Sequence, residues 1–414
     1  MAAAGSSRRE FLTTLAAGTA ASTFAYLGGI KPLGSLRGVF EEAAAADALG
    51  ALIAEAPAAR YWISASEPHS SCADCHDSGS VDTHSAPQHS GPVVRCLLCA
   101  HQCLLGPNER GRCRARINVA GTLKTLVYGR PISIHIDPIE KKPFYHFLPG
   151  RQAFSLATSG CPLRCQFCQN WQISQSRPED YDVERIQPAP LVASAQAKGA
   201  PIVAFTYNEP TVFIEYLTDI ARAARPQGIR SVMVSCGFMN AAPLDELCDV
   251  LDAIKIDLKG FSPEFYRKVS SAELSAVLRS IEQIHRRARH LELVNLVIPP
   301  LNDAEPMLTG LAKWVVATLG RDVPVHFTRF HPDYQLQNLP PTPVATLDRA
   351  RAIAMSEGIR YAYVGNVPGH PGNHTYCPRC GKVVVERSGF LVTAMHVEAG
   401  HCGYCREAIA GVWS

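Results

Sequence analysis

From residue 153 onward, short β-rich runs alternate with amphipathic stretches, and that alternation leaves the chain few folds to choose from. The runs cover 153–157, 202–206, 231–235, 253–258, 291–298, 325–329 and 361–364, with helical candidates at 211–224, 243–251, 273–288, 304–319 and 344–357. Alternation at this interval builds successive βαβ units and a parallel sheet. The expected fold class is α/β, a sheet closed or partly closed into a (β/α) barrel with a small cysteine-rich module on either side. Such a barrel carries its chemistry at the C-terminal ends of its strands. Cys161 follows the first run, Asn208 and Glu209 the second, Cys236 and Gly237 the third, Lys259 and Gly260 the fourth, Pro299 the fifth and His331 the sixth.

The chain has 15 cysteines in 414 residues, and 13 of them fall into four groups with metal-ligand spacing rather than being scattered like disulfide partners. Cys236 and Cys248 stand alone and read as small buried apolar side chains. The decisive group is Cys161, Cys165 and Cys168, spaced C-x-x-x-C-x-F-C on the loop after the first strand. Iron–sulfur clusters are usually completed by four cysteines. Three thiolates hold three corners of a four-iron cubane and leave one iron open, as catalytic metal sites keep a position for substrate. A zinc knuckle is the plainer alternative.

Two further groups flank the core. Cys377, Cys380, Cys402 and Cys405 form two C-x-x-C knuckles, the spacing of a zinc ribbon, with four ligands and no open position. Structural zinc is expected there, with iron the lesser alternative. Cys96, Cys99, Cys103 and Cys113 are unevenly spaced and read as zinc or an auxiliary cluster; spacing alone favours zinc, and His101 is a candidate to replace one thiolate. The fourth group is Cys72-Ala73-Asp74-Cys75-His76, the spelling of a haem attachment site. No methionine lies near to complete haem ligation, so a solitary extra metal, a redox pair or no cofactor are the alternatives.

The N-terminus reads Ser7-Arg8-Arg9-Glu10-Phe11-Leu12 before a mildly apolar stretch, which resembles a twin-arginine export signal. Low-potential chemistry at an iron–sulfur site argues instead for the cytoplasm, so signal and chemistry disagree. No segment reaches the ~18 consecutive apolar residues of a membrane helix, and no stable membrane anchor is expected. A net charge of +3 with 19% charged residues points to no nucleic-acid partner. The organisation that follows is a leader at 1–40, a linker at 41–92, a cysteine-rich module at 93–150, the barrel at 151–370 and a ribbon-like module at 371–414.

Three strand ends bear polar groups on apolar runs. Glu209 puts a carboxylate opposite the cysteine loop, or serves as a helix N-terminal charge; Ser235 ends the third run, and Asp257 and Lys259 the fourth. In the run 325–331, His326 shares a face with Thr328 and Phe330, while Arg329 and His331 lie on the other. An inward histidine or arginine there would bind an acidic group; a satisfied core histidine is the alternative.

The cysteine loop resembles the radical S-adenosylmethionine (SAM) enzymes. Together with Cys96-Leu97-Leu98-Cys99, Gly111-Arg112-Cys113, Asp137-Pro138-Ile139-Glu140-Lys141-Lys142-Pro143, His146-Phe147-Leu148-Pro149-Gly150 and the closing Gly411-Val412-Trp413, it resembles the radical SAM member of the AmmeMemoRadiSam system, related to pyruvate formate-lyase activating enzymes. The resemblance implies a 4Fe-4S cluster on Cys161, Cys165 and Cys168, SAM on the open iron, and a 5′-deoxyadenosyl radical that abstracts hydrogen. It implies Phe167 near the adenine, Asn208 and Glu209 at the SAM ammonium, and Ser235, Asp257 and Lys259 at ribose, carboxylate or ion contacts. The strand at 297–303 would lie along the adenine. It also implies a flavodoxin- or ferredoxin-type electron donor and, by analogy with glycyl-radical activation, a protein substrate. A small-molecule substrate is the second possibility, and an exported multi-centre electron-transfer protein is the reading from another class.

Overall fold

The computed structural model describes residues 48–65 and 91–414. The leader and the Cys72/Cys75/His76 motif lie outside those residues. Residues 48–65, expected as linker, are instead built into the first module. A helix at 48–55 leads to strand β1 (Trp62–Ser64), which pairs antiparallel with β2 (Val94–Cys96), itself paired to β3 (Leu104–Leu105). A hairpin of β4 (Arg116–Val119) and β5 (Thr122–Thr125) follows, and Ala59 N donates to Leu123 O at 2.7 Å to tie the leading segment to it.

The main sheet has eight strands: β6 (Ser133–Pro138), β7 (Gln152–Ala157), β8 (Ile202–Phe205), β9 (Arg230–Ser235), β10 (Ala253–Asp257), β11 (His290–Val297), β12 (Val325–Arg329) and β13 (Ala362–Gly365). They lie side by side in chain order, with β6 antiparallel to β7 and all later pairs parallel. The sheet is therefore mixed and open between β6 and β13. Sequence reading gave all seven parallel strands but left β6 in the preceding module, because nothing local distinguishes a strand that joins the larger sheet.

Crossover helices cover the outer face: α1 (Pro188–Ala197), α2 (Ile214–Ala224), α3 (Ala241–Val250), α4 (Leu274–Arg286), α5 (Glu305–Leu319) and α6 (Val344–Ser356). Five were expected. Helix α1 was not, since Pro188 and Pro190 mask a helical pattern, yet prolines in a first turn give up only N–H groups that have no intrahelical partner. The strands are buried on both faces; Phe327 packs outward at 0% exposure while His326 points inward at 1%. Among the described residues no helix is long and apolar enough to cross a membrane.

The chain ends in a small β module of β14 (Thr375–Tyr376), β15 (Val383–Ser388), β16 (Leu391–Met395), β17 (Val397–Glu398) and β18 (His401–Cys402). It packs on the loop after β6: Arg387 donates to Tyr145 O at 2.8 Å, Val412 N donates to His146 O and Val412 O accepts from Leu148 N, the last two both at 2.7 Å.

Candidate functional site

The strand ends converge on a cleft of about 550 Å³ inside the curve of the sheet. One wall is the loop after β7, where Cys161, Cys165, Phe167 and Cys168 all face the cleft. The loop is fixed from several directions. Arg164 N and Gln166 N donate to Ser270 O and Val269 O at 3.1 and 3.0 Å, and the Arg164 guanidinium donates to Cys161 O at 2.8 Å. Burial pushes the Cys161 thiol well above its usual range, and the nearby Glu209 carboxylate pushes it further. Cys165 is raised by burial too, against the pull of Lys259. Crowded, buried thiols beside a carboxylate ionise only where positive charge is supplied, as an iron–sulfur core would supply it. The donor set fits such a group.

The facing wall comes from the turn after β8. Tyr207 has φ +71°, a left-handed conformation unusual for a non-glycine residue and often found at functional sites. It turns the next two side chains toward the cysteine loop. Asn208 Nδ2 donates to Thr158 O and Gly160 O, both at 2.8 Å, while its Oδ1 is buried without a partner. Glu209 is 2% exposed and accepts from Thr211 N and Oγ1, Ser235 Oγ at 2.8 Å and Cys236 N at 2.7 Å. Ser235 in turn accepts from Gly237 N at 2.9 Å, so the end of β9 orients the carboxylate.

A third wall is cationic. Lys255 and Asp257 share the inner face of β10 and are ion-paired, with Lys259 Nζ 3.4 Å from Asp257 and 5.5 Å above the Phe167 ring. Burial alone would raise the Asp257 carboxyl, but Lys255 and Lys259 outweigh it and hold it below its usual range. Lys259 moves the other way: burial disfavours its charge, and Asp257 and Cys165 overcome that and raise it. Opposite, Lys142 lies 2.6 Å from Asp137 and 4.2 Å above the Tyr207 ring; burial lowers it to about 8 despite the carboxylate.

Of the residues the sequence singled out, Phe167, Asn208, Glu209, Ser235, Asp257, Lys259 and the three cysteines meet in this cleft. His326 does not. It stands one inward position below the cleft-lining Thr328, with Nε2 2.7 Å from Glu292 and its ring stacked on Tyr363, so the core-histidine alternative describes it. Arg329 turns away and donates to Thr342 O at 2.8 Å, and His331 is exposed. Sequence reading assigned no role to Lys142, Tyr207, Lys255 or Phe390, all of which line the cleft. Lys255 was within reach, since on a strand it must share the face of Asp257. Phe390, at the turn between β15 and β16, comes from the far end of the chain and carried no local signal.

Both outer cysteine groups assemble. Among the described residues, Cys377, Cys380, Cys402 and Cys405 are the set whose sulfurs all lie within 4.8 Å of one another, with the pairs Cys377/Cys405 and Cys380/Cys402 at 3.5 and 3.8 Å. Cys96, Cys99, Cys103 and Cys113 gather behind the Cys161 loop, where Asn240 Nδ2 donates to Leu97 O and Cys99 O at 2.8 and 3.2 Å.

A sequence profile of the Radical SAM superfamily matches residues 155–309. The chain is 42% identical over 318 residues to the uncharacterized protein MJ0808 of Methanocaldococcus jannaschii, a match covering 76% of this chain and 95% of that protein. It is 24% identical over 176 residues to a pyruvate formate-lyase-activating enzyme of Listeria monocytogenes, covering 39% of this chain and 68% of the enzyme. A crystal structure of a domain of such an activating enzyme from Bacteroides vulgatus aligns with a TM-score of 0.36 and 19% identity over 40% of this chain and 98% of that domain. A three-cysteine loop at the first parallel strand end, within the matched span and within a long alignment at 42% identity, makes this chain a member of the radical SAM superfamily.

Proposed function

We propose that Cys161, Cys165 and Cys168 hold a 4Fe-4S cluster with one iron left for SAM, and that the chain takes hydrogen from a protein substrate, as an activating enzyme of the AmmeMemoRadiSam type. The superfamily's shared chemistry is the one-electron cleavage of bound SAM to a radical, and it requires a reductant; a flavodoxin- or ferredoxin-type donor suits it. The observation that carries the residue assignment is the pairing of three cleft-facing cysteines with a buried acceptor, Asn208 Oδ1, that has no protein partner. Asn208, with Glu209 behind it, suits a ligand ammonium. Lys259, stacked over Phe167, suits a carboxylate beside an adenine-sized ring. Ser235 orients Glu209, and Asp257 fixes the two lysines. Phe390 and the loop bearing Lys142 line the cleft and suit the exclusion of water from a reactive radical. The C-terminal four cysteines suit one zinc ion, since ligand sulfurs at about 2.3 Å from a tetrahedral ion lie roughly 3.8 Å apart.

The activating-enzyme relatives favour a peptide segment as the source of the abstracted hydrogen. The test is anaerobic reconstitution, reduction with dithionite and measurement of 5′-deoxyadenosine. Wild type should form it, and Cys165→Ala should lose at least about a thousandfold in rate, on the order of 4 kcal/mol of barrier. A fully loaded wild-type protein that forms no 5′-deoxyadenosine overturns the assignment. Transfer of a stable radical to a partner protein, read by electron paramagnetic resonance, tests the substrate class; turnover of a metabolite without a partner would replace it.

A further inference from the structure

We infer that Cys96, Cys99, Cys103 and Cys113 bind a second iron–sulfur cluster, and that it passes electrons to the site at Cys161, Cys165 and Cys168. This rests on the radical SAM reading only for the electron's destination. Spacing alone leaned toward zinc, and the geometry reverses that. The C-terminal cysteines show what this chain does around a single ion: four sulfurs within 4.8 Å. Among the described residues, neither Cys96, Cys99, Cys103 and Cys113 nor Cys161, Cys165 and Cys168 form such a set, so both groups are spread wider than the ribbon's sulfurs, as sulfurs on different corners of a cubane would be.

The surroundings suit a cluster as well. Arg112 N lies 3.5 Å from Cys103 Sγ, and the Arg116 guanidinium, 0% exposed, lies 3.9 Å from Cys96 Sγ. Hydrogen bonds and buried cations at ligand sulfurs are what set a cluster's potential. Gly111 keeps its backbone against the sulfurs; a Cβ there would lie 3.6 Å from Cys113 Sγ and 4.0 Å from Cys103 Sγ.

The two cysteine sets are joined by direct contact. Gly160, next to Cys161, has φ +93°, and a Cβ on it would fall 2.3 Å from Cys113 O. With about 3.8 Å between successive Cα atoms, Cys113 and Cys161 are roughly 10 Å apart or less. Arg164 bridges them, donating to Cys161 O at 2.8 Å and to Arg112 O, and His101 Nε2 lies 3.1 Å from Pro162 O. One electron enters from a low-potential protein donor and one leaves for the catalytic site; no bond or proton changes hands at the relay.

The test uses the full chain, reconstituted anaerobically. Wild type should carry about eight iron atoms, and the variant Cys161→Ala/Cys165→Ala/Cys168→Ala about four, with a reduced-cluster paramagnetic signal of its own. One zinc per chain at this site, or no metal, overturns the proposal. Should the triple variant not fold, Cys99→Ser/Cys103→Ser must bring the wild-type iron count down by half; an unchanged count also overturns it. In that variant the remaining cluster should be reduced several-fold more slowly by reduced flavodoxin and at an unchanged rate by dithionite. Equal flavodoxin rates would refute the relay. Iron count and 5′-deoxyadenosine are read separately, so a wild type with eight irons that fails to cleave SAM would sink the catalytic assignment and leave this one standing.

Discussion

The inner surface of the sheet has two polar layers, and they are finished differently. At the lower one, Glu292 is 0% exposed and its carboxylate is used up: it accepts from Tyr145 N at 3.0 Å, His146 N at 2.8 Å, His290 Nε2 at 3.0 Å and His326 Nε2 at 2.7 Å. At the upper one an acceptor is left over: Asn208 Oδ1 is buried without a partner, and lysines outnumber the aspartates that hold them. A buried polar group left unpaired costs about 1 to 3 kcal/mol, so a chain keeps such groups where something else will pair them. The lower layer holds three parts of the fold together, because its donors come from the loop after β6, from β11 and from β12. The upper layer waits for a ligand.

If that contrast is right, substitutions in the two layers should fail in different ways. The largest loss of stability should come from Glu292→Ala, which strands two backbone N–H groups and two histidines in a dry interior. On the order of 4 kcal/mol is expected from denaturant unfolding, while 5′-deoxyadenosine formation per folded molecule holds near wild type. A stable variant that has lost SAM cleavage would erase the distinction between the layers. The carboxylate is also a pH sensor of known sign. Burial opposes its charge, the hydrogen bonds from His290 and His326 overcome that, and the carboxyl is held well below its ordinary range, so the stability it contributes is lost as pH falls toward strong acid.

His326 shows how far a sequence can be read toward this contrast. Period-two reasoning places it on one face with Thr328, and in the fold both are on the inner face. Depth is another matter. One step along a face is about 6.7 Å, enough to pass from the cleft to the saturated layer beneath it, and no local pattern reports the crossing. The upper layer was the more legible because its residues follow a rule of position: Cys161, Asn208, Glu209, Ser235, Asp257 and Lys259 all end strands that hydrophobic runs had located. Lys142 and Phe390 escaped the same rule. They reach the cleft through contacts between the loop after β6 and the C-terminal module, and contacts across more than 200 residues leave no trace in either segment.

A smaller effect separates the two layers by pH. Lys142, at the rim between them, is lowered by burial from 10.5 to about 8. The unfolded chain therefore binds a proton between pH 8 and 10.5 that the folded chain has released. Stability must rise with pH across that window, by about 3 kcal/mol, and the cost of burying the charge is fully present below it. Lys142→Met should flatten the rise, read as the difference between wild-type and variant unfolding free energies at pH 7.5 and 10. Parallel curves would mean that Asp137, 2.6 Å away, pays the whole cost of burying the ammonium.

The smallest effect is the sharpest, because it separates two jobs of one side chain. Asn208 Nδ2 braces the cysteine loop through Thr158 O and Gly160 O, and Oδ1 faces the cleft with no partner. Asn208→Ala removes both functions; Asn208→Asp removes the donors and keeps an acceptor. If Oδ1 receives a ligand ammonium, the alanine variant should bind SAM about tenfold more weakly, the size of one hydrogen bond to a charged group, and the aspartate variant should bind it at least as well as wild type. Both should lose about 1 kcal/mol of stability, since both leave the loop carbonyls without their donor. Equal weakening of SAM binding in the two variants would assign the whole effect to the loop brace, and the leftover acceptor would then have no ligand to explain it.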